Sequence, residues 1–408
     1  MKLILVALGL CSVVLSSKVR FDDFKVHRVT PTTASQVEAL RELEENQIAY
    51  NFWSSAVDVH HPVDIMVPPH LIYDFQDFLD FQQLTSEVFI DNVQDRIDNE
   101  KPSVQSRVFG WNDYYRLSDI YDWMRTIATA YEVATLVVGG TSYQDRPIMG
   151  LRISYSAINI NRTVFVEGGI HAHEWISPAV STFIIQQLLT SSDPVVRRVA
   201  QSYDWYFFPV FNPDGYEYSH TTNRMWRKTR TPYGSCYGAD PNRNWGYRWN
   251  TGGGSTNPCS DTFSGPNPFS ERSVSTMSQF LTGISSRLVG YISFHSYSQL
   301  LLYPYGYTSA NRDNWGELLE VGEKAATALA SRFGTRFNVG NIGATLGVFA
   351  GGSIDWVKGT YGTRVTYTYK LRDLGRYGFI LPADHIVPTG LETLDSFVTI
   401  FDEFGAKL

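Results

Sequence analysis

Two imidazoles and a carboxylate stand in this sequence where a metal ion could be held. The apolar segment Thr163-Val164-Phe165-Val166-Glu167 reads as a strand and runs through Gly168-Gly169-Ile170 into His171-Ala172-His173-Glu174-Trp175. His171 and Glu174 lie three positions apart, which on one helical turn or a tight loop puts both side chains on the same side. Two ligands do not hold zinc, so a third must come from a distant segment; a second apolar run, Tyr291-Ile292-Ser293-Phe294, ends on His295. Ligands carried at strand ends over an α/β sheet converge where such folds place their sites. Two histidines, one glutamate and an open position is a catalytic zinc arrangement. The pattern alone is weak, because a His-x-x-Glu spacing arises often by chance and a strand-end histidine is often a core residue. His173, alternating with His171, is a competing ligand.

The elements that must position these residues follow from periodicity. The chain has 408 residues, 43% of them hydrophobic, so it buries a sizeable core and is not disordered. A formal charge of −7 is a poor match to nucleic acid, which needs clustered positive charge. No later run reaches the roughly 18 apolar residues of a membrane span. Helical patterns at Leu117–Ala130, Pro178–Thr190, Ser270–Leu281, Trp315–Phe333 and Thr389–Phe404 alternate with apolar strands at Ile148–Ile153, Thr163–Glu167, Trp205–Phe211, Leu288–Phe294 and Arg364–Leu371. This predicts one large α/β domain with a mixed sheet over 108–408. Residues 18–107 form a smaller unit, with helices at Gln36–Glu45 and Leu71–Leu79 and strands at Ala56–Val59, Asp64–Val67 and Glu87–Ile90. The charged tract Asp91–Arg107 then reads as an exposed helix leading to a linker, where proteases cut. A domain followed by a basic, cleavable linker suggests a zymogen.

Met1-Lys2, the apolar run from Leu3 to Leu15 and the small Ser16-Ser17 describe a secretion signal over 1–17, which places the mature chain outside the cell. Cys11 leaves with that signal. Of the three cysteines Cys236 and Cys259 remain, an even pair. In an oxidising compartment they would close a loop worth about 3 kcal/mol; two free buried thiols are the alternative. Asn161-Arg162-Thr163 is a glycosylation sequon.

The segment from His171 to Trp175, followed by His295-Ser296-Tyr297-Ser298-Gln299-Leu300, resembles the secreted pancreatic-type zinc carboxypeptidases, the carboxypeptidase A/B family. Further stretches in that family's order are Asn212-Pro213-Asp214-Gly215, Arg224-Met225-Trp226-Arg227-Lys228, Asp240-Pro241-Asn242-Arg243-Asn244-Trp245, Gly351-Gly352-Ser353-Ile354-Asp355-Trp356 and Leu371-Arg372-Asp373, and the resemblance covers essentially the whole chain. It implies an α/β zinc-exopeptidase domain, its central mixed, twisted sheet flanked by helices, preceded by a small α+β open-sandwich pro-domain. It implies a monomer with one Zn²⁺ on His171, Glu174 and His295, and Asp240 orienting His171. Arg227 matches the arginine that stabilises the oxyanion of the tetrahedral intermediate. Asn242 and Arg243 match the pair that grips the substrate's terminal carboxylate, a task the forked guanidinium suits. Tyr297 lines the outer cleft, and Ser293, Leu302, Gly306, Gly352, Ile354 and Thr368 frame the side-chain pocket. Ile354 stands where basic-specific members carry an acid, so an apolar or aromatic C-terminal side chain is implied. Phe349 replaces a smaller residue and shrinks the pocket. Cys236 and Cys259 match the family's disulfide. The implied partners are peptide C-termini and the chain's own pro-domain.

Three positions depart from the pattern. The glutamate before Leu-Arg-Asp, which takes a proton from the attacking water, is Lys370; the mobile tyrosine that closes over substrate is Gly347; an arginine that helps bind substrate is His173. Tyr361 is a tyrosine that could enter the cleft instead. An ammonium cannot accept the proton, a loss worth roughly 10²- to 10⁴-fold. A cation near Zn²⁺ is also repelled by several kcal/mol at an effective dielectric of about 20 and a separation of roughly 5 Å. Lys370 must therefore swing away, lose its proton, pair with an acid in the cleft or attract an anion. The expected protein is a zinc-retaining homologue that holds peptide C-termini with weak or no hydrolysis. The alternatives are a working A-type zymogen, with neutral Lys370 as base, and a non-catalytic scaffold.

Overall fold

A computed structural model describes residues 18–46, 48–100, 108–155 and 161–406; the expected signal over 1–17 and the 101–107 part of the expected linker lie outside the described residues. The N-terminal unit contains β1 (Lys25–Val29), α1 (Ala34–Asn46), β2 (Asn51–Phe52), β3 (Val63–Val67), α2 (Ile72–Phe81), β4 (Ser86–Ile90) and α3 (Val93–Asp98). Its sheet runs in the order β2-β3-β1-β4, all antiparallel. Alternation along β3 gives the sheet two buried faces. Val63, Ile65 and Val67 join Leu40, Phe75 and Leu79 beneath the two long helices, whereas Met66 joins Trp53 in a cluster with Met225, Tyr297 and Phe379 of the large domain.

The large domain carries α4 (Leu117–Ala130), β5 (Ala134–Thr141), β6 (Pro147–Ile153), β7 (Thr163–Glu167), α5 (Ile176–Thr190), α6 (Pro194–Ser202), β8 (Asp204–Phe208), α7 (Pro213–Thr221), the short pair β9 (Pro232–Tyr233) and β10 (Cys236–Tyr237), α8 (Arg272–Ile284), β11 (Leu288–His295), β12 (Leu300–Tyr303), α9 (Trp315–Phe333), β13 (Asn338–Asn341), α10 (Ile342–Leu346), α11 (Ser353–Tyr361), β14 (Val365–Lys370) and α12 (Ile386–Gly405). Among the described residues its sheet is eight-stranded, in the order β13-β12-β14-β11-β7-β8-β6-β5. The run β14-β11-β7-β8 is parallel, and β12 and β6 flank it antiparallel. Helices cover both faces, so the central strands are apolar throughout; every residue of β7 and β8 is buried. Phe165 of β7 stacks between Phe208 and Tyr291, with centroids 5.1 and 5.5 Å away.

Several expectations need correcting. Ala56–Val59 is a loop, not a strand: Arg41 takes the carbonyls of Ala56 and Val57 at 2.9 and 2.7 Å, and the strand there is β2. The Asp91–Arg107 tract is not all exposed, because α3 buries Val93 and Gln94 and Glu100 is 2% exposed. The Trp205–Phe211 strand ends at Phe208 and gives way to the turn that caps α7, where the Asn212 side chain accepts from the Gly215 N–H at 3.1 Å. The expected disulfide between Cys236 and Cys259 is present.

The two units are joined by charge as well as by apolar packing. Asp64 accepts two bonds from Arg28, both at 2.7 Å, and one from the Tyr297 phenol at 2.6 Å. Arg28 also donates to the Leu374 carbonyl at 2.9 Å. Glu100 takes a fork from Arg224 at 2.7 and 2.5 Å, and that guanidinium donates to the carbonyls of His173 and Phe379 and lies over the Trp175 ring. Phe165→Ala leaves a void between two fixed rings in the central strand, and the expected loss is about 3–5 kcal/mol of unfolding free energy in urea titration of the full chain.

Candidate metal centre and cleft

The parallel strands point their C-terminal ends at one region. β7 ends at Glu167, and the chain turns through Gly169, whose φ of 62° suits glycine, to deliver His171 and Glu174. β11 ends on His295, and β14 sets Lys370 directly beside it in register. All three expected ligands are buried: His171 4%, Glu174 2% and His295 4% exposed. Nδ1 of His171 lies 2.9 Å from Glu174 Oε1, and Nδ1 of His295 lies 3.0 Å from Oε2. One donor atom from each residue falls within 4.8 Å of the others. The far nitrogen of His171 is committed to Asp240 Oδ1 at 3.0 Å, which turns Nδ1 inward. Burial holds the His295 imidazole below its ordinary pKa, although Glu174 opposes this. Burial would raise the Glu174 carboxyl, but the two imidazoles outweigh it and hold that group well below the usual carboxylate range. Two imidazole nitrogens and one carboxylate oxygen, buried and convergent, fit zinc.

His173 is not part of this set. Its ring stacks on Phe379 at 4.0 Å, and its Nδ1 lies 3.2 Å from the Met225 carbonyl. Asp240 is fully buried and holds three things at once. Oδ1 faces His171 and accepts the Asn242 N–H at 2.8 Å, while Oδ2 accepts from Arg227 Nη2 at 2.8 Å. Burial raises the Asp240 carboxyl, but Arg227 and His171 overcome this and hold it well below its ordinary range.

A cavity of about 580 Å³ lies between the two units. The large domain contributes Arg227, Arg243, Asp261, Tyr297, Phe349 and Lys370, and the N-terminal unit contributes Arg28, Glu44, Trp53 and Asp64. Burial pushes the Lys370 ammonium down to about 8, Arg227 and Arg243 push the same way, and Glu174 opposes. Burial lowers Arg243 to about 10 against the pull of Asp240. Among the described residues the Lys370 ammonium forms no ion pair; the acid it feels is Glu174, whose two oxygens face His171 and His295. Tyr361 donates to or accepts from Thr282 at 2.7 Å and packs on Trp356, away from the cleft. Tyr297 is buried under Trp53 and Asp64. Ile354, Leu302 and Ser293 are buried together with Gly306, Gly352 and Thr368. Asn161 is exposed. Asp355, which binds the N–H groups of Gly306 and Tyr307, sits in α11. Sequence reasoning missed Asp261, Glu44 and Asp64 as cleft residues, since nothing local marks them.

The profile described as "Zinc carboxypeptidase" matches residues 120–396, and that described as "Carboxypeptidase activation peptide" matches residues 27–100. The chain belongs to the zinc carboxypeptidase family. Zinc carboxypeptidase A 1 of Drosophila melanogaster is 42% identical over 98% of this chain and 96% of the relative. Carboxypeptidase A1 of Mus musculus is 36% identical over 98% of each. Among solved structures, thrombin-activatable fibrinolysis inhibitor superposes with a TM-score of 0.87 at 28% identity over 95% of this chain and 100% of that one. Carboxypeptidase A from Helicoverpa armigera gives 0.86 at 26% identity over 96% and 99%. A zinc carboxypeptidase carries one zinc per chain, and His171, Glu174 and His295 are the residues that would hold it here. Asp240→Asn is expected to weaken zinc binding by roughly 10- to 100-fold in chelator competition. His173→Ala, removing no ligand, leaves zinc affinity unchanged in the same assay.

Proposed function

We propose that this chain is a secreted zinc carboxypeptidase homologue that binds peptide C-termini and hydrolyses them weakly or not at all. Lys370 carries the reading. Its neighbour in the sheet is the metal-centre histidine His295, and its ammonium shares the cleft with Arg227 and Arg243. When bound, zinc supplies a Lewis acid for a peptide carbonyl and for water. The residues of this chain then differ in what they can do. Arg227, fixed on Asp240, can donate to an oxygen that gains charge. Asn242 and Arg243 can hold a terminal carboxylate, and buried Ile354 favours an uncharged side chain. Lys370, charged below about 8, has no lone pair with which to take a proton from water. Gly347 offers no side chain to close over a ligand.

The N-terminal unit over 18–107 acts as an activation segment that shields the cleft until it is removed. Secretion fits the leader-like start, the disulfide and the exposed Asn161. No described helix is long and apolar enough to cross a membrane.

The test is C-terminal hydrolysis of an N-acylated peptide by the zinc-loaded, trypsin-treated chain. Lys370→Glu with Gly347→Tyr is expected to raise the rate by roughly 10²- to 10⁴-fold. Equal rates before and after defeat the proposal. Chelator-sensitive hydrolysis by the unmodified chain that rises with pH through about 8 would instead mark a working zymogen in which neutral Lys370 takes the proton. Absence of zinc from the purified chain would mark a scaffold.

A further inference from the structure

The cavity stops at Phe349. Thr345, Leu346 and Phe349 line it, but Leu302, Gly306, Gly352 and Ile354, the frame of the side-chain pocket, do not. The phenyl ring occupies the space between. A methyl placed on Gly306 would stand 3.1 Å from Cε2 and Cζ of Phe349, and one placed on Gly352 would stand 3.3 Å from Cε2. The ring therefore lies against both glycines and packs on the apolar cluster that contains buried Leu302 and Ile354.

Its backbone is pinned from two sides. The Phe349 N–H donates to the Gly306 carbonyl and the Ala350 N–H to the Gly252 carbonyl, both at 2.9 Å. Gly351 follows at φ 76°, its α-carbon packed so closely that a methyl would meet the Arg243 carbonyl at 2.2 Å. Arg243 covers another part of the ring, with its guanidinium carbon 3.9 Å from the ring centroid. That guanidinium is itself anchored, donating to the Gly253 carbonyl at 3.0 Å and the Asn242 carbonyl at 3.1 Å.

We infer that Phe349 is a plug built into the side-chain pocket, so that the accepted C-terminal residue is glycine or alanine and not a large apolar or aromatic one. This narrows the apolar-or-aromatic expectation and rests on the proposed recognition of peptide C-termini. A large side chain must displace the ring from both glycines and from the Arg243 guanidinium. A small one leaves the ring where it is, with Arg243 at the cavity wall.

The test is calorimetric titration of the zinc-loaded full chain, before and after trypsin treatment, with N-acylated dipeptides ending in Gly, Ala or Phe. The Ala-ended peptide is expected to bind about 10- to 200-fold tighter than the Phe-ended one, and Phe349→Ala to raise the Phe-ended peptide relative to the Ala-ended one by a similar factor. Phe349→Leu should fall between. Equal binding of the Phe- and Ala-ended peptides to the unmodified chain overturns the plug, as does an unchanged ratio in Phe349→Ala. If no peptide binds any variant, recognition of C-termini fails on its own. The plug is then decided by a crystal structure of the unmodified chain: a ring seated on Gly306 and Gly352 sustains it, and a ring turned out into the cleft ends it.

Discussion

A fully buried carboxylate must be paired or it costs several kcal/mol, and Asp240 meets that demand by drawing three separate segments together. One oxygen faces the His171 ring and fixes the Asn242 backbone; the other holds Arg227. The Arg227 carbonyl in turn accepts the Ala172 N–H at 3.0 Å, closing the circuit on the loop that carries His171. The pairing also sets the charges: Asp240 is held ionised, and Asp240 and Glu174 keep the Arg227 guanidinium above its ordinary range although burial alone would lower it. The loop carrying His171, the Arg227 guanidinium and the turn at Asn242 are thus one electrostatic unit, not three neighbouring features.

Against that frame, the cation at the end of β14 stands out. The cleft wall now presents Lys370, Arg227 and Arg243, answered by Asp240, Glu174 and the outlying Asp261 and Glu44. Such a set attracts anionic ligand groups. Holding a ligand and transforming it depend on different atoms of the same site, and the proposed function keeps the first group while doing without the second.

Much of the frame was legible because it follows from local rules. Long apolar runs identified β7 and β11, and helical periodicity found α4, α5, α9 and α12, each within a few residues. The ligands His171, Glu174 and His295 were marked by residue type at strand ends. The choice between His171 and His173 was not marked, because it depends on which ring Asp240 reaches and which one Phe379 stacks against. The short helices α6, α7 and α11 escaped notice since their N-terminal prolines, serine and polar caps read as turns. Asp64 lay within an expected strand, yet its place over Tyr297 comes from the phase of β3 against a domain more than 200 positions away in sequence. Phe349 was visible as an oversized residue; its seat depends on two glycines and an arginine that only folding assembles.

The Glu100–Arg224 contact separates two events that the word activation merges. Hydrolysis of a peptide bond anywhere beyond Glu100 leaves the forked ion pair, and the Ala383 N–H on the Glu100 carbonyl, untouched. Severed and departed are then different states, related by a dissociation equilibrium. Arg224 loses its carboxylate only in the second, keeping the carbonyls of His173 and Phe379 and the Trp175 indole as a partial substitute. These contacts hold Glu100 to the large domain whether or not the chain beyond it is whole.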